Sequence, residues 1–184
     1  MLCPTSHAKK PSKVVHSGLS LLNPAWNYEL QRTHSLPKHE DTRIVPYRAD
    51  QMYALVADVE RYPEFLPWNS AARIRARRPG EGGSEVIEAD LVISFKVFRE
   101  RFGSRVTLWP AEKRIDTQYL DGPFKYLRSG WTFTDLPEGG SRVGFFVDFE
   151  FKNAILGKVI GVVFGEAMMR IVRAFEERAK ALYG

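Results

Sequence analysis

The sequence predicts an α+β protein in which a strongly curved antiparallel sheet of about six or seven strands wraps around one long C-terminal helix. Residues 71–151 carry apolar side chains with a period of two, which is typical of strands. Short Pro- and Gly-containing turns separate these strands, as in an antiparallel meander. Residues 155–183 then read as one long helix, and a single sheet gripping a single helix is the natural packing of these elements.

A strand and a helix precede this region. Residues 41–45 are predicted to form a short first strand that ends at Pro46. Pro63 either ends the helix that follows, at about residues 49–60, or opens a short second one. The helix has one apolar face, because four apolar residues are spaced i, i+3, i+4 and i+7: Met52, Leu55, Val56 and Val59.

The strands of the sheet are predicted from the alternation of apolar and polar residues. Further strands are predicted around residues 100–109, 114–120 and 125–136, and the buried face of the sheet is heavily aromatic. Two strands show the alternation most clearly, one through Ile87, Ala89, Leu91, Ile93 and Phe95, the other through Val143, Phe145, Val147, Phe149 and Phe151.

The first third of the terminal helix, residues 155–165, is apolar almost all the way round, and only Lys158 interrupts it. A helix that packs on one sheet needs one apolar face, so the surplus must meet a lipid-like ligand, a membrane or a partner. Gly157, Gly161 and Gly165 share one helix face. They are predicted either to pack closely against the sheet or to leave volume for a long ligand.

The residue types needed for much common catalysis are absent from residues 40–184. Without His or Cys, this region has no thiolate nucleophile, no Ser-His pair and no usual zinc ligands. The absence of His and Cys does not exclude catalysis by carboxylates, by a lysine Schiff base or by carboxylate-bound Mg²⁺. All four histidines and the one cysteine precede residue 40: Cys3, His7, His16, His34 and His39.

Charge and composition divide the chain into residues 1–38 and a domain at residues 39–184. The formal net charge is +5, but five of the 27 basic and one of the 22 acidic residues lie in the first 38, which leaves the rest nearly neutral. Residues 1–38 show no sustained period and no apolar run of a secretory signal. They are predicted to be a disordered or misassigned extension, with a transit peptide as the alternative.

One segment resembles a known family. Residues 55–68, which read Leu-Val-Ala-Asp-Val-Glu-Arg-Tyr-Pro-Glu-Phe-Leu-Pro-Trp, are similar to the ubiquinone (coenzyme Q)-binding START-like proteins of the polyketide cyclase/lipid-transport superfamily. Residues 95–102, 104–108 and 149–153 support the resemblance, which covers about residues 40–184. It implies a helix-grip fold with a hydrophobic tunnel between sheet and helix. After Leu-Pro-Trp the family commonly has Cys, whereas this chain has Asn69.

The resemblance implies that the protein binds ubiquinone or a similar polyprenyl lipid as a chaperone that supports respiration. It also implies that the protein is not an enzyme and has no catalytic residue, metal site or catalytic cofactor. Contact with an anionic membrane surface is predicted at Trp68, Lys96, Val97, Phe98 and Arg99, because aromatic rings beside cations suit a bilayer interface. Twelve residues are predicted to line the tunnel: Phe65, Leu66, Trp68, Phe98, Leu127, Trp131, Phe133, Phe145, Phe149, Ile160, Phe164 and Met168.

Two alternatives stay open. The family includes ribosome-associating toxins, and the run Arg73, Arg75, Arg77 and Arg78 could contact ribosomal RNA or anionic lipid, or simply protect an exposed sheet edge. Alternation predicts that Arg73, Arg75 and Arg77 share one strand face. An enzyme of the cyclase/aromatase kind would need ionisable groups in the tunnel. If the protein binds a quinone, it is predicted to be cytoplasmic and peripheral to the inner membrane of a bacterium, or to lie on the matrix side in mitochondria. Contact with a ribosome or nucleic acid is less favoured.

Overall fold

The computed structural model describes residues 38–95 and 98–184. The predicted N-terminal extension lies outside these residues, apart from Lys38. So do Lys96 and Val97, two of the predicted membrane-docking residues.

Seven strands form one antiparallel sheet in the order β1-β7-β6-β5-β4-β3-β2. Consecutive strands from β2 to β7 are neighbours, whereas β1 pairs with β7 at the opposite edge from β2. The α+β fold predicted from the sequence is therefore confirmed. The strands are β1 (Lys38–Val45), β2 (Asn69–Pro79), β3 (Glu85–Phe95), β4 (Phe98–Trp109), β5 (Arg114–Asp121), β6 (Phe124–Asp135) and β7 (Ser141–Phe151).

Three α-helices complete the described residues: α1 (Ala49–Ala57), α2 (Tyr62–Phe65) and α3 (Ala154–Tyr183). A 3₁₀ turn joins α1 to α2, and Pro63 lies in the first turn of α2, so the proline opens a second helix. Asn153 precedes α3, and its side-chain oxygen accepts hydrogen bonds from the backbone N–H groups of Ile155 (2.9 Å) and Leu156 (3.3 Å). This cap satisfies two donors that a helix start otherwise leaves free.

The main core lies between α1, the C-terminal half of α3 and the inner face of the sheet. Met52, Leu55 and Val56 of α1 are buried there, as is Phe175 of α3. A second, smaller cluster lies further along the sheet, where Phe124, Val147 and Phe149 are buried beside the N-terminal half of α3. The two halves of α3 thus meet different parts of the sheet.

The N-terminal half of α3 carries exposed apolar residues and glycines on its outward face. Ile155 is 72% exposed and Val162 is 88% exposed. A Cβ atom added at Gly161 or Gly165 would meet no atom within 4 Å, and both glycines are exposed. Both predictions for these two glycines, close packing and space for a ligand, are therefore wrong, because they lie on the outward face of the helix.

The arginines of β2 do not alternate as predicted. The pairing of β2 with β3 shifts between Ile74 and Ala76, so Arg75 is the extra residue of a β-bulge. Arg75 therefore lies on the same outer face as Arg73 and reaches Asp90 there, at 3.6 Å. Arg77 lies on the other face, in register with buried Ile87. The prediction that all three share one face is wrong because a bulge reverses the alternation.

Gly122 in the turn between β5 and β6 is expected to tolerate no side chain. Its φ is +129°, and an added Cβ would lie 2.7 Å from the carbonyl oxygen of Arg101. Gly139 also has a positive φ, of +99°, but an added Cβ would meet nothing within 4 Å. We expect Gly122→Ala to lower the free energy of unfolding by about 2 kcal/mol and Gly139→Ala by about 1 kcal/mol. Urea denaturation measures both, and equal losses would contradict the role of the Arg101 contact.

Candidate ligand-binding cavity

The N-terminal half of α3 and the inner face of the sheet enclose a cavity of about 310 Å³. Side chains from α1, α2 and strands β2 to β7 contribute to its wall. Apolar residues of α3 face inward and line the cavity: Ile160, Val163, Phe164, Ala167 and Met168. The cavity can accommodate an apolar molecule, because burying carbon against such a wall is favourable.

The wall is almost entirely apolar. None of its residues is Asp, Glu, Lys, Arg or His, and its polar side chains are Tyr62, Asn69, Ser104, Thr117 and Ser129. The hydroxyl of Tyr62 donates a hydrogen bond to the carbonyl oxygen of Val56 at 2.6 Å. Burial raises the pKa of Tyr62 well above its usual range. This phenol therefore stays protonated and serves as a structural donor.

Nine of the twelve predicted residues line the cavity. They come from the loop after α2, from β6 and β7, and from α3: Leu66, Trp68, Leu127, Trp131, Phe145, Phe149, Ile160, Phe164 and Met168. That they contact a ligand stays a prediction.

Phe65, Phe98 and Phe133 lie elsewhere, so their placement in the cavity wall is wrong. Phe65 packs edge-on against Phe175, with ring centroids 5.3 Å apart, on the far side of α2. Phe133 is buried in the main core, where the Tyr53 ring of α1 fills the space above it. Phe98 begins β4 opposite Phe95, at the end of the β3–β4 hairpin.

Sequence reasoning missed much of the wall. The alternation of β3 was recognised but was not carried through to Leu91, Ile93 and Phe95 as lining residues, although all three share the inner face. No local signal marks Asn69 or Ser104 as buried. Other lining residues that were missed are Phe102, Phe124, Val147, Phe151, Val163, Ala167, Ile171 and Phe175.

Trp68 connects the sheet to α3 at one end of the cavity. Its ring meets Phe95 edge-on at 5.4 Å, and the guanidinium of Arg170 lies 6.0 Å from the ring centroid. The backbone of Trp68 has a φ of +64°, which side-chain-bearing residues rarely adopt. Its carbonyl accepts a hydrogen bond from the N–H of Ser94 at 2.7 Å. The fold thus holds an unfavourable backbone conformation beside the cavity.

His39 of β1 stands close to the cavity wall. The observed β1 begins before the predicted first strand and so brings this histidine into the sheet. Its ring lies 6.2 Å from Phe145 and 6.3 Å from Phe164, which both line the cavity. His39 therefore lies in a described strand, whereas the sequence predicted that the first strand begins at residue 41.

The outer face of the sheet carries a network of ion pairs. Arg75 and Arg101 both contact Asp90 and Asp121, while Arg78 contacts Glu88 at 3.2 Å. Arg105 contacts Glu88 as well. Several arginine charges on this face are therefore matched by carboxylates.

A curved antiparallel sheet, a long helix and an apolar cavity between them define a START-like protein of the helix-grip class. The chain belongs to the family described as polyketide cyclase / dehydrase and lipid transport, which it matches over residues 45–176. The superfamily predicted from residues 55–68 is therefore confirmed.

Relatives within the family carry different names. The chain is 40% identical over 145 residues to the Ribosome association toxin RatA of Rickettsia prowazekii, covering 77% of this chain and 94% of the relative. It is 28% identical over 151 residues to the Coenzyme Q-binding protein COQ10 homolog B, mitochondrial, of Xenopus laevis. This match covers 80% of this chain and 59% of the relative. The solution structure of the 18 kDa protein CC1736 from Caulobacter crescentus is 34% identical, with a TM-score of 0.68, and covers 81% of this chain and 99% of that one.

Proposed function

We propose that the protein is a ribosome-associating growth regulator. The proposal rests on the 40% identity to a ribosome association toxin across 94% of that relative. The coenzyme Q name belongs to a relative at 28% identity, of which the match covers 59%. The comparisons therefore favour the ribosome alternative over the quinone function that the sequence analysis placed first.

Sedimentation tests this proposal directly. Purified protein is mixed with bacterial ribosomal subunits, and the mixture is separated on a sucrose gradient at magnesium concentrations that permit subunit association. We expect the protein to sediment with ribosomal particles and to change the ratio of free to associated subunits. Protein that stays at the top of the gradient and leaves this ratio unchanged would reject the proposal.

Arg73 is the best single probe of an RNA contact on β2. It is exposed and forms no ion pair with another residue in the described part of the chain, whereas Arg75 lies between two carboxylates. We expect Arg73→Glu to weaken ribosome binding about threefold to tenfold and to reduce its salt dependence. The matched control is Arg142→Glu, which makes the same charge change at an exposed position of β7. Equal weakening by both variants would indicate a non-specific charge effect.

The cavity favours a second function, the binding of ubiquinone or a related polyprenyl lipid. Its support is an apolar cavity of about 310 Å³ whose wall holds no ionisable side chain other than Tyr62. Such a wall suits a bound lipid better than general acid–base catalysis, so we propose a carrier rather than an enzyme. Extraction of the purified protein with organic solvent, followed by mass spectrometry, tests this. A protein that yields no lipid and takes up no added quinone would reject it.

The two functions place the protein differently in a cell. As a ribosome-associating regulator it would act in the cytoplasm, and as a quinone carrier it would work at the surface of the membrane that holds the quinone. In the described part of the chain, no helix is long and apolar enough to cross a membrane. For the carrier, we propose that Trp68, Phe98 and Arg99 contact the bilayer, since they lie at the end of the cavity and of the β3–β4 hairpin.

A further inference from the structure

The side chain of Asn69 is buried and polar, and it has no hydrogen-bond partner in the described part of the chain. Its side chain is part of the cavity wall, and the residue is only 6% exposed. Neither its amide nitrogen nor its amide oxygen forms a hydrogen bond with another described residue. Buried amides are nearly always paired, because an unpaired donor or acceptor loses its hydration without compensation. The Asn69 amide therefore presents its donor nitrogen and its acceptor oxygen side by side at the cavity wall, with no partner among the described residues.

The backbone on both sides of Asn69 is irregular. Trp68, immediately before it, has a φ of +64°. The pairing of β2 with β3 shifts between Asn69 and Ala71, so Ser70 is the extra residue of a bulge. The Ser70 hydroxyl contacts the carbonyl of Val92 at 3.3 Å, on the sheet, while Asn69 lines the cavity. β-Bulges commonly change the direction of a side chain next to a functional site. The bulge at Ser70 directly follows Asn69, whose side-chain amide lies in the cavity wall.

We propose that Asn69 binds the polar head group of the cavity's ligand, and that this head group is a neutral group with a hydrogen-bond donor and acceptor together, as in a hydroxyl. This inference rests on the proposed binding of an apolar ligand in the cavity. The amide nitrogen would donate to the hydroxyl oxygen, and the amide oxygen would accept the hydroxyl hydrogen. A ketone or quinone carbonyl, which only accepts, would leave the amide oxygen unpaired.

The absence of charged side chains from the cavity wall favours a neutral head group. It contains no Lys, Arg or His to compensate a buried anion, and no Asp or Glu to compensate a cation. Arg170 is not part of the wall: its guanidinium lies 6.0 Å from the centroid of the Trp68 ring and pairs with Glu166. For a quinone ligand, the same chemistry favours the hydroquinone form, whose hydroxyl groups both donate and accept.

Three ligands of equal chain length separate these possibilities: undecan-1-ol, undecan-2-one and undecane. Each is titrated against protein loaded with the neutral dye Nile red, and its affinity is compared between the native protein and Asn69→Leu, a variant of similar side-chain shape. Comparing the two proteins for each ligand removes the ligand's own cost of leaving water. We expect the variant to bind the alcohol about tenfold more weakly and the ketone about threefold more weakly, with undecane unchanged or bound more tightly.

A second measurement guards against a folding defect. Without ligand, Asn69→Leu is expected to unfold at a higher temperature than the native protein, because leucine removes an unpaired buried amide. A lower unfolding temperature would mean that the amide already has a partner in the fold and would overturn the inference. Equal loss of affinity for all three ligands would also overturn it, while leaving the lipid-binding function intact. If no ligand displaces the dye from the native protein, both proposals fail.

Discussion

Ala167→Phe is expected to weaken the binding of decylubiquinone by nearly a hundredfold. Ala167 lies on the inner face of α3 and lines the cavity, so a benzyl group there would occupy space that a ligand needs. If the ring displaces about 100 Å² of buried ligand surface, the loss is about 2.5 kcal/mol. A titration that follows quenching of tryptophan fluorescence by the quinone measures the change, because Trp68 and Trp131 both line the cavity.

Val162→Phe is the matched control for this prediction. It makes a comparable change on the same helix, at a position that is 88% exposed and points away from the sheet. We expect its quinone affinity to equal that of the native protein. If both variants bind equally well, the quinone does not occupy this cavity. If both bind poorly, the substitutions act on α3 as a whole.

Phe175→Ala is expected to lower the free energy of unfolding by about 3–5 kcal/mol. Phe175 is only 4% exposed, and its ring contacts three others edge-on. The centroid distances are 5.6 Å to Tyr62, 5.3 Å to Phe65 and 5.2 Å to Trp131. These contacts join α3 to α2 and to β6 at once, so truncation would leave a hole where three elements meet.

Urea denaturation of Phe175→Ala against Leu182→Ala tests this expectation. Leu182 lies on the same helix but is half exposed, so its truncation should cost less than about 1 kcal/mol. Similar losses for the two variants would show that the C-terminal half of α3 is held by helix propensity rather than by the aromatic contacts.

The order of elements was predictable because each has its own periodicity. Alternation along β3 and β7, and the i, i+3, i+4 spacing of α1, depend only on which face is buried. Strand ends were less well predicted. β1 begins at Lys38 rather than at residue 41, because its first residues gain ladder hydrogen bonds from β7, a partner about 100 residues away. The residues around position 38 do not indicate a pairing with a strand so far away in the sequence.

The features that were mispredicted depend on tertiary placement. Gly161 and Gly165 share a helix face, but spacing alone does not say whether that face meets the sheet or solvent. The bulge at Arg75 inverts the faces of the residues that follow it, and no proline or glycine announces it. Asn69 follows Trp68 in a loop-like segment, where a polar residue is ordinarily exposed. Here it is buried and directly follows Trp68, whose φ of +64° the sequence does not signal.

The pairing of β1 with β7 has a consequence for how the chain acquires its structure during synthesis. Strands β2 to β7 can pair as successive hairpins, because each strand is joined to its neighbour by a short connection. β1 emerges before the other described strands but must wait until its pairing partners, residues 141–148, have been made, and the intervening segment must then close at an entropic cost. Of the described strands, the earliest to leave the ribosome is therefore expected to join the sheet only after β7 has been made. Until then, the aromatic inner face stays uncovered and open to other chains.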